Sequence, residues 1–103
     1  MKTYTMCGSM RYAEQMQRIA FELETAYGYN ILQCTYGGGE LSETEKNNIV
    51  KAHYKKIDLS DGIYVADIDG YTGQSVKEEM AYAEENGKEI VYHSRFWEEN
   101  SRK

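Results

Sequence analysis

The chain has 103 residues, of which 41% are hydrophobic and 28% are charged, and its formal net charge is −5. This length predicts one domain spanning 1–103, with a composition typical of globular proteins. The negative charge argues against sequence-independent binding to DNA or RNA, because such binding depends on a basic surface that neutralises phosphates. No apolar run approaches the roughly 20 residues that a membrane-spanning helix needs.

The cysteines and the first residues bear on the cellular compartment. Cys7 and Cys34 are too few for a disulfide-stapled secreted scaffold. The segment Met1–Met6 is too polar for the hydrophobic region of a secretory signal, so we expect a cytoplasmic protein. With His53 and His93 the cysteines could supply four zinc ligands, but their spacing matches no zinc motif. We therefore predict no metal site.

Strand-like and helical segments alternate along the first half of the chain. Lys2–Cys7 predicts a first strand, and the break at Gly8-Ser9 leads into a helix over about Met10–Tyr27. Apolar side chains recur in this helix at three- and four-residue steps, at Ala13, Met16, Ala20, Leu23 and Tyr27. Gly28 ends the helix, as a C-terminal glycine commonly does. Asn30–Thr35 predicts the second strand.

A glycine-rich loop at 37–39 opens the second half. Ser42 and Glu45 then form a Ser-x-x-Glu capping box, which predicts a second helix continuing towards Ile57. The segment Asp61–Ile68 contains a short apolar run, typical of a strand that is buried on both faces.

The last third of the chain continues the alternation. Ser75–Asn86 predicts a third helix that ends at Gly87, and Glu89–His93 predicts a fourth strand. The tail Ser94–Lys103 predicts a short helix. Because parallel strands joined by helices cross over in the right-handed sense, the pattern predicts an α/β three-layer sandwich with a four-stranded parallel sheet. Of the flavodoxin-like and Rossmann-like arrangements that such a sandwich adopts, the flavodoxin-like one has the strand order 2-1-3-4.

In such sheets ligands bind outside the carboxyl ends of the strands, where the strand order reverses. That point lies here between the first and third strands, where the loop at 7–11 should meet the loop at 67–75. In the first loop, Gly8 permits close backbone approach, Ser9 offers a hydroxyl and Arg11 offers a guanidinium suited to phosphate. The alternative is a tight turn in which Ser9 caps the helix and Arg11 is a solvated surface charge.

The second loop leads into a helix with carboxylates in its first turns. Gly73 and Ser75 precede the pair Glu78-Glu79. One interpretation is that Glu79 points into the cleft as a nucleophile or general base, since a carboxylate stabilises an oxocarbenium-like transition state and can trap it covalently. The alternative is that these glutamates only complement the helix dipole.

Other candidate residues carry weaker signals. Asp67 follows the third strand and could bind sugar hydroxyls or serve a turn, and Asp58 could act in the site or only cap. His53 could titrate near neutral pH or pack as a partly buried helical residue. Several aromatic side chains could stack on a base: Tyr12, Tyr36, Tyr71 and Trp97.

Two segments together resemble one family, the nucleoside 2-deoxyribosyltransferase-like proteins and the related 2′-deoxynucleoside 5′-phosphate N-hydrolases. The first is the loop Cys7-Gly8-Ser9-Met10-Arg11. The second runs from His53 to Tyr92 and reads His53-x-x-Lys56-Ile57-Asp58-x-Ser60-Asp61, then Gly70-Tyr71-x-Gly73-x-Ser75-x-x-x-Glu79-x-x-Tyr82-Ala83, then Gly87-Lys88-x-Ile90-x-Tyr92. These matches frame almost the whole chain.

The resemblance implies cleavage of the N-glycosidic bond of a 2′-deoxynucleoside or its 5′-phosphate, with Glu79 as nucleophile. It places the loop 7–11 (Cys7, Gly8, Ser9, Met10 and Arg11) against the substrate, with Ser75 near its phosphate or sugar. It also implies a homo-oligomer, with no metal or organic cofactor.

The chain departs from the family pattern at two places. His53 stands where the transferases carry an aspartate, with Asp58 as a shifted substitute, so both join Glu79 as candidate catalytic residues. Gly73 stands where they often carry an acidic or small polar residue. The second hypothesis is therefore a non-catalytic protein that binds a nucleotide or a nucleotide-derived signal in the same cleft. A third, an interaction module using Phe96-Trp97, has only the tail to support it.

Overall fold

The computed structural model describes residues 1–101, in which strands and helices alternate around one parallel sheet. The strands are β1 (Thr3–Cys7), β2 (Asn30–Leu32), β3 (Gly62–Val65) and β4 (Glu89–Tyr92). The helices are α1 (Ala13–Thr25), α2 (Glu43–Asp58), α3 (Gln74–Glu85) and α4 (His93–Ser101). Single 3₁₀ turns at Met10–Tyr12 and Ile68–Gly70 follow β1 and β3.

The four strands are all parallel and lie in the order β2-β1-β3-β4, so the predicted topology is confirmed. The two central strands bury side chains on both faces. On one face, Tyr4 and Met6 of β1 and Tyr64 of β3 pack with the apolar stripe of α1 and with α4. On the other face, Cys7 of β1 and Ile63 and Val65 of β3 pack against α2 and α3. Helices thus cover both faces of the sheet, which makes the fold a three-layer sandwich.

Local sequence signals account for the ends of several helices. The capping box at the start of α2 is present, with Ser42 Oγ accepting from the Glu45 backbone N–H and the Glu45 carboxylate accepting from the Ser42 N–H. Gly28 and Gly87 follow α1 and α3 with φ values of 72° and 67°, a left-handed conformation that glycine adopts without a steric penalty.

Most predicted boundaries differ from the observed ones by one to three residues, and those of β2, β3 and the tail helix are examples. β2 stops at Leu32 because it pairs only with the first three residues of β1, after which the chain leaves the sheet edge. β3 stops at Val65, and a 3₁₀ turn begins at Ile68. The predicted tail helix begins one residue early, at His93, because the Asp67 carboxylate accepts from the Ser94 backbone N–H and hydroxyl.

The predicted tail extends to residues 102 and 103, which lie outside the described residues. Within residues 1–101, no helix combines the length and the apolarity that crossing a bilayer requires.

Candidate functional site

A cavity of about 500 Å³ opens at the carboxyl ends of the central strands. Its walls come from the turn after β1, the segment after β2, the middle of α2 and the start of α3. The lining residues are Gly8, Ser9, Met10, Cys34, Thr35, Ile49, Val50, His53, Tyr54, Tyr71, Gly73, Gln74, Ser75, Val76, Glu78 and Glu79. The cavity therefore lies where the reversal of strand order predicts a ligand site.

Three reactive side chains meet at the base of this cavity, and we call them the Cys7–His53–Glu79 cluster. Cys7 ends β1, His53 lies on α2 and Glu79 lies on α3. His53 Nε2 is 3.1 Å from Glu79 Oε1 and 3.5 Å from Cys7 Sγ. Only 11% of the His53 side chain and 15% of the Glu79 side chain are exposed, and Cys7 is fully buried. Three different elements thus direct their polar atoms to one point.

The burial of Cys7 determines which atoms of the cluster carry protons. Burial, and then the negative charge of Glu79, raise the pKa of the Cys7 thiol well above its usual range, so it stays protonated at neutral pH. Its S–H donates towards the Thr5 carbonyl oxygen at 3.7 Å. His53 Nε2–H is then free to donate to the Glu79 carboxylate, which holds the carboxylate in one orientation.

The upper walls of the cavity combine apolar and polar groups. Met10, Val50 and Tyr71 present exposed apolar surface. The N-cap of α3 is Gly73, which has no side chain to accept from the first-turn N–H groups, so these donors remain available to a ligand. Such a rim can hold a flat apolar group on one side and an anionic group on the other.

The structure brings most of the predicted site residues together. The predicted residues Gly8, Ser9, Met10, His53, Gly73, Ser75 and Glu79 all line the cavity, and Cys7 lies beneath them. Ser9 also caps the following 3₁₀ turn, since its hydroxyl accepts from the Arg11 backbone N–H, which is the contact that the capping interpretation predicts.

Three predicted site residues lie elsewhere. The Arg11 guanidinium is stacked over the Tyr71 ring, 4.4 Å from its centre, so it supports the cavity wall rather than lining the cavity. Asp58 is the last residue of α2, more than one turn beyond His53, and its carboxylate accepts from the Tyr82 hydroxyl outside the cavity. The Asp67 carboxylate is engaged by Ser94 at the start of α4.

The sequence analysis missed the contribution of the segment after β2. Cys34 and Thr35 line the cavity because the chain leaves the sheet there, whereas the prediction placed them inside a strand. Ile49 and Val50 of α2 also line the cavity, and neither was among the predicted site residues. Their spacing from His53, one helical turn, is the signal that could have assigned them to the same face.

The zinc ligands considered from the sequence are only partly brought together. Within residues 1–101, one group of side chains could hold a metal ion, and it consists of Cys7, His53 and Glu79, whose ligand atoms lie within 4.8 Å of one another. His93 is instead bonded to the Tyr64 hydroxyl, with 2.6 Å between Nδ1 and the oxygen. The sequence predicts no metal site, whereas the structure places a thiol, an imidazole and a carboxylate close together, and these groups are metal ligands.

Comparison with known proteins finds no matching family model, no similar curated protein and no similar solved structure. The resemblance to deoxyribosyltransferase-like proteins therefore stays an expectation from the sequence.

Proposed function

We propose that this protein cleaves the N-glycosidic bond of a 2′-deoxynucleoside or a 2′-deoxynucleoside 5′-phosphate, with Glu79 as the nucleophile. The observation that carries the proposal is the position of the Glu79 carboxylate, which lies in the same cavity as the turn Gly8–Met10 that follows β1. A carboxylate that is largely buried but still open to a cavity is suited to react with a bound substrate rather than with bulk water.

The chemistry of the bond suits a single fixed carboxylate. As the bond between C1′ and the base nitrogen breaks, positive charge develops on the sugar ring, and the Glu79 carboxylate stabilises that charge. Attack of a Glu79 oxygen on C1′ gives a glycosyl ester, and the base leaves with the bonding electrons and takes up a proton. Water or a second base then attacks C1′ and releases Glu79. The hydrogen bond from His53 Nε2 orients the carboxylate for the first step.

The dimensions and walls of the cavity fit the substrate class. Its volume of about 500 Å³ lies within the range of small-molecule sites. Met10, Val50 and Tyr71 offer apolar surface for a base. The hydroxyl of Ser75 and the uncapped N–H groups at the start of α3 offer donors for a 5′-phosphate.

The test is product analysis by chromatography. The protein is incubated with each deoxynucleoside and each deoxynucleoside 5′-monophosphate, with and without a second free base, and the matching ribonucleosides serve as controls. We expect release of free base, and formation of a new deoxynucleoside if a base accepts the sugar.

Two other outcomes of this panel have distinct meanings. A rise in the melting temperature with a nucleotide, but no free base from any substrate, would support the non-catalytic nucleotide-binding alternative. Neither base release nor thermal stabilisation with any member of the panel would contradict both uses of the cavity.

A further inference from the structure

We infer that the Cys7–His53–Glu79 cluster is a binding site for a divalent transition-metal ion, with Zn²⁺ as the best match. The ligands would be Cys7 Sγ, His53 Nε2 and a Glu79 carboxylate oxygen. This inference does not depend on glycosidic activity, since it concerns the binding of an ion and is tested by binding.

The distances between the ligand atoms suit tetrahedral coordination. Zinc bonds of about 2.0–2.3 Å at tetrahedral angles place neighbouring ligand atoms about 3.3–3.8 Å apart. Sγ and Nε2 of the cluster are 3.5 Å apart, and Nε2 and Oε1 are 3.1 Å apart. All three atoms lie within 4.8 Å of one another, so small side-chain rotations suffice to complete the set.

The chemistry of the donors selects the type of ion. Mg²⁺ and Ca²⁺ prefer all-oxygen sites, whereas a thiolate, an imidazole and a carboxylate are ligands for zinc. Binding would release the Cys7 proton to solvent, and His53 would carry its remaining ring proton on Nδ1. The ion's two positive charges would then balance the thiolate and the carboxylate in this buried place.

The fourth coordination position faces the cavity. His53 and Glu79 line the cavity wall, whereas Cys7 lies behind them. Three protein ligands with an open fourth position, which water or a ligand can occupy, are the pattern of accessible zinc sites rather than of closed structural ones. The ion is therefore expected to exchange with solution.

Occupancy of this site would also regulate the proposed reaction. This second part rests on the proposed function, because Glu79 is both a metal ligand and the nucleophile. Coordination to zinc withdraws negative charge from the Glu79 carboxylate and makes both of its oxygens weaker nucleophiles, so bound zinc should slow the attack on C1′.

The test uses the untagged full chain, reduced and stripped of metal with a chelator. Co²⁺ is titrated first, because a thiolate ligand produces a near-ultraviolet charge-transfer band that other ligands do not. We expect one Co²⁺ per chain with this band, its loss when Zn²⁺ is added, and one Zn²⁺ per chain by calorimetry. Absence of stoichiometric binding, or binding without the band, would overturn the proposal.

Variants assign the ligands. Cys7→Ser should abolish the band, and Glu79→Gln should weaken Zn²⁺ binding by more than the roughly 10–100-fold that loss of an outer partner costs. Cys34→Ser is the matched control, since this thiol lines the cavity outside the cluster and should leave the band in place. Should Cys7→Ser fail to fold, Glu79→Gln still decides, because undiminished affinity in that variant would refute the site.

The two proposals fail in distinguishable ways. Zinc binding without base release under any condition would retain the metal site and remove the glycosidic reaction. Base release that is insensitive to added zinc, with no zinc bound, would retain the reaction and remove the metal site.

Discussion

Replacing Glu79 by glutamine separates the chemistry of the cavity from the stability of the fold. The amide has the shape of the carboxylate and keeps an oxygen that can accept from His53 Nε2, which is 3.1 Å away. It loses the negative charge and the nucleophilic oxygen. The substitution therefore leaves the packing of α3 in place while it removes the proposed reactive group.

The expected loss of stability is small. The side chains of His53 and Glu79 are only 11% and 15% exposed, so the hydrogen bond between them is shielded from water. Hydrogen bonds to charged groups contribute about 1.5–3 kcal/mol to stability and those between neutral groups about 0.5–1.5 kcal/mol. Replacing the carboxylate by the amide should therefore lower the free energy of unfolding by about 1 kcal/mol. In a domain of this size that lowers the melting temperature by about 4–8 °C.

The expected loss of activity is much larger. Removal of the nucleophile closes the covalent route, and such losses reach about 10,000-fold or more, which corresponds to about 5.5 kcal/mol of transition-state stabilisation. This exceeds the stability change about fivefold. A folded variant with no measurable base release is therefore the predicted result.

The assay is the initial rate of base release at a temperature well below the melting transition of both proteins. Glu84→Gln is the matched control, because Glu84 lies exposed on the same helix outside the cavity and should retain both rate and stability. A Glu79→Gln rate within tenfold of an active wild type would refute the assignment of the nucleophile.

Three further predictions concern the fold. Gly62→Ala would place a Cβ 2.3 Å from the Glu89 carbonyl oxygen, so the free energy of unfolding, measured with urea, should fall by more than about 3 kcal/mol. Gly38→Ala meets no atom within 4 Å and should leave this free energy nearly unchanged, and equal effects of the two substitutions would contradict the packing argument. Ser42→Ala removes the capping box of α2 and should lower the free energy of unfolding by about 1 kcal/mol, which a lower melting temperature would show. An unchanged melting temperature would mean that the cap does not stabilise the fold. Burial lowers the pKa of His93, so the unfolded chain takes up a proton first as the pH falls below about 6.5, and the free energy of unfolding should decrease by up to about 1.4 kcal/mol per pH unit until the pKa of the folded state is reached. A His93→Gln variant whose stability has the same pH dependence as wild type would refute this.

Much of the fold could be predicted from the sequence because its signals are local. The capping box at Ser42 and the glycines after α1 and α3 mark helix ends through contacts within a few residues. The apolar run that became β3 identifies a central strand because a strand buried on both faces has few polar positions. Right-handed crossovers then leave few sheet orders to choose from, and 2-1-3-4 was among them.

The site could be predicted only in part, because its residues are joined by tertiary contacts. The strand-order rule located the cavity, and Glu79, Ser9 and Gly73 line it. Asp58 and Asp67 were plausible by position, but the direction of a side chain depends on its neighbours, and Tyr82 and Ser94 engage these two carboxylates elsewhere.

The alternation of strands and helices and several helix ends of this protein follow from short-range signals that its amino-acid sequence already contains. The meeting of Cys7, His53 and Glu79 does not, since 46 residues separate Cys7 from His53 and 26 separate His53 from Glu79. Only the packing of α2 and α3 against one face of the sheet brings these side chains to the end of β1. The reactive group of the protein is thus a product of tertiary structure, because no local spacing encodes a contact between three separate elements.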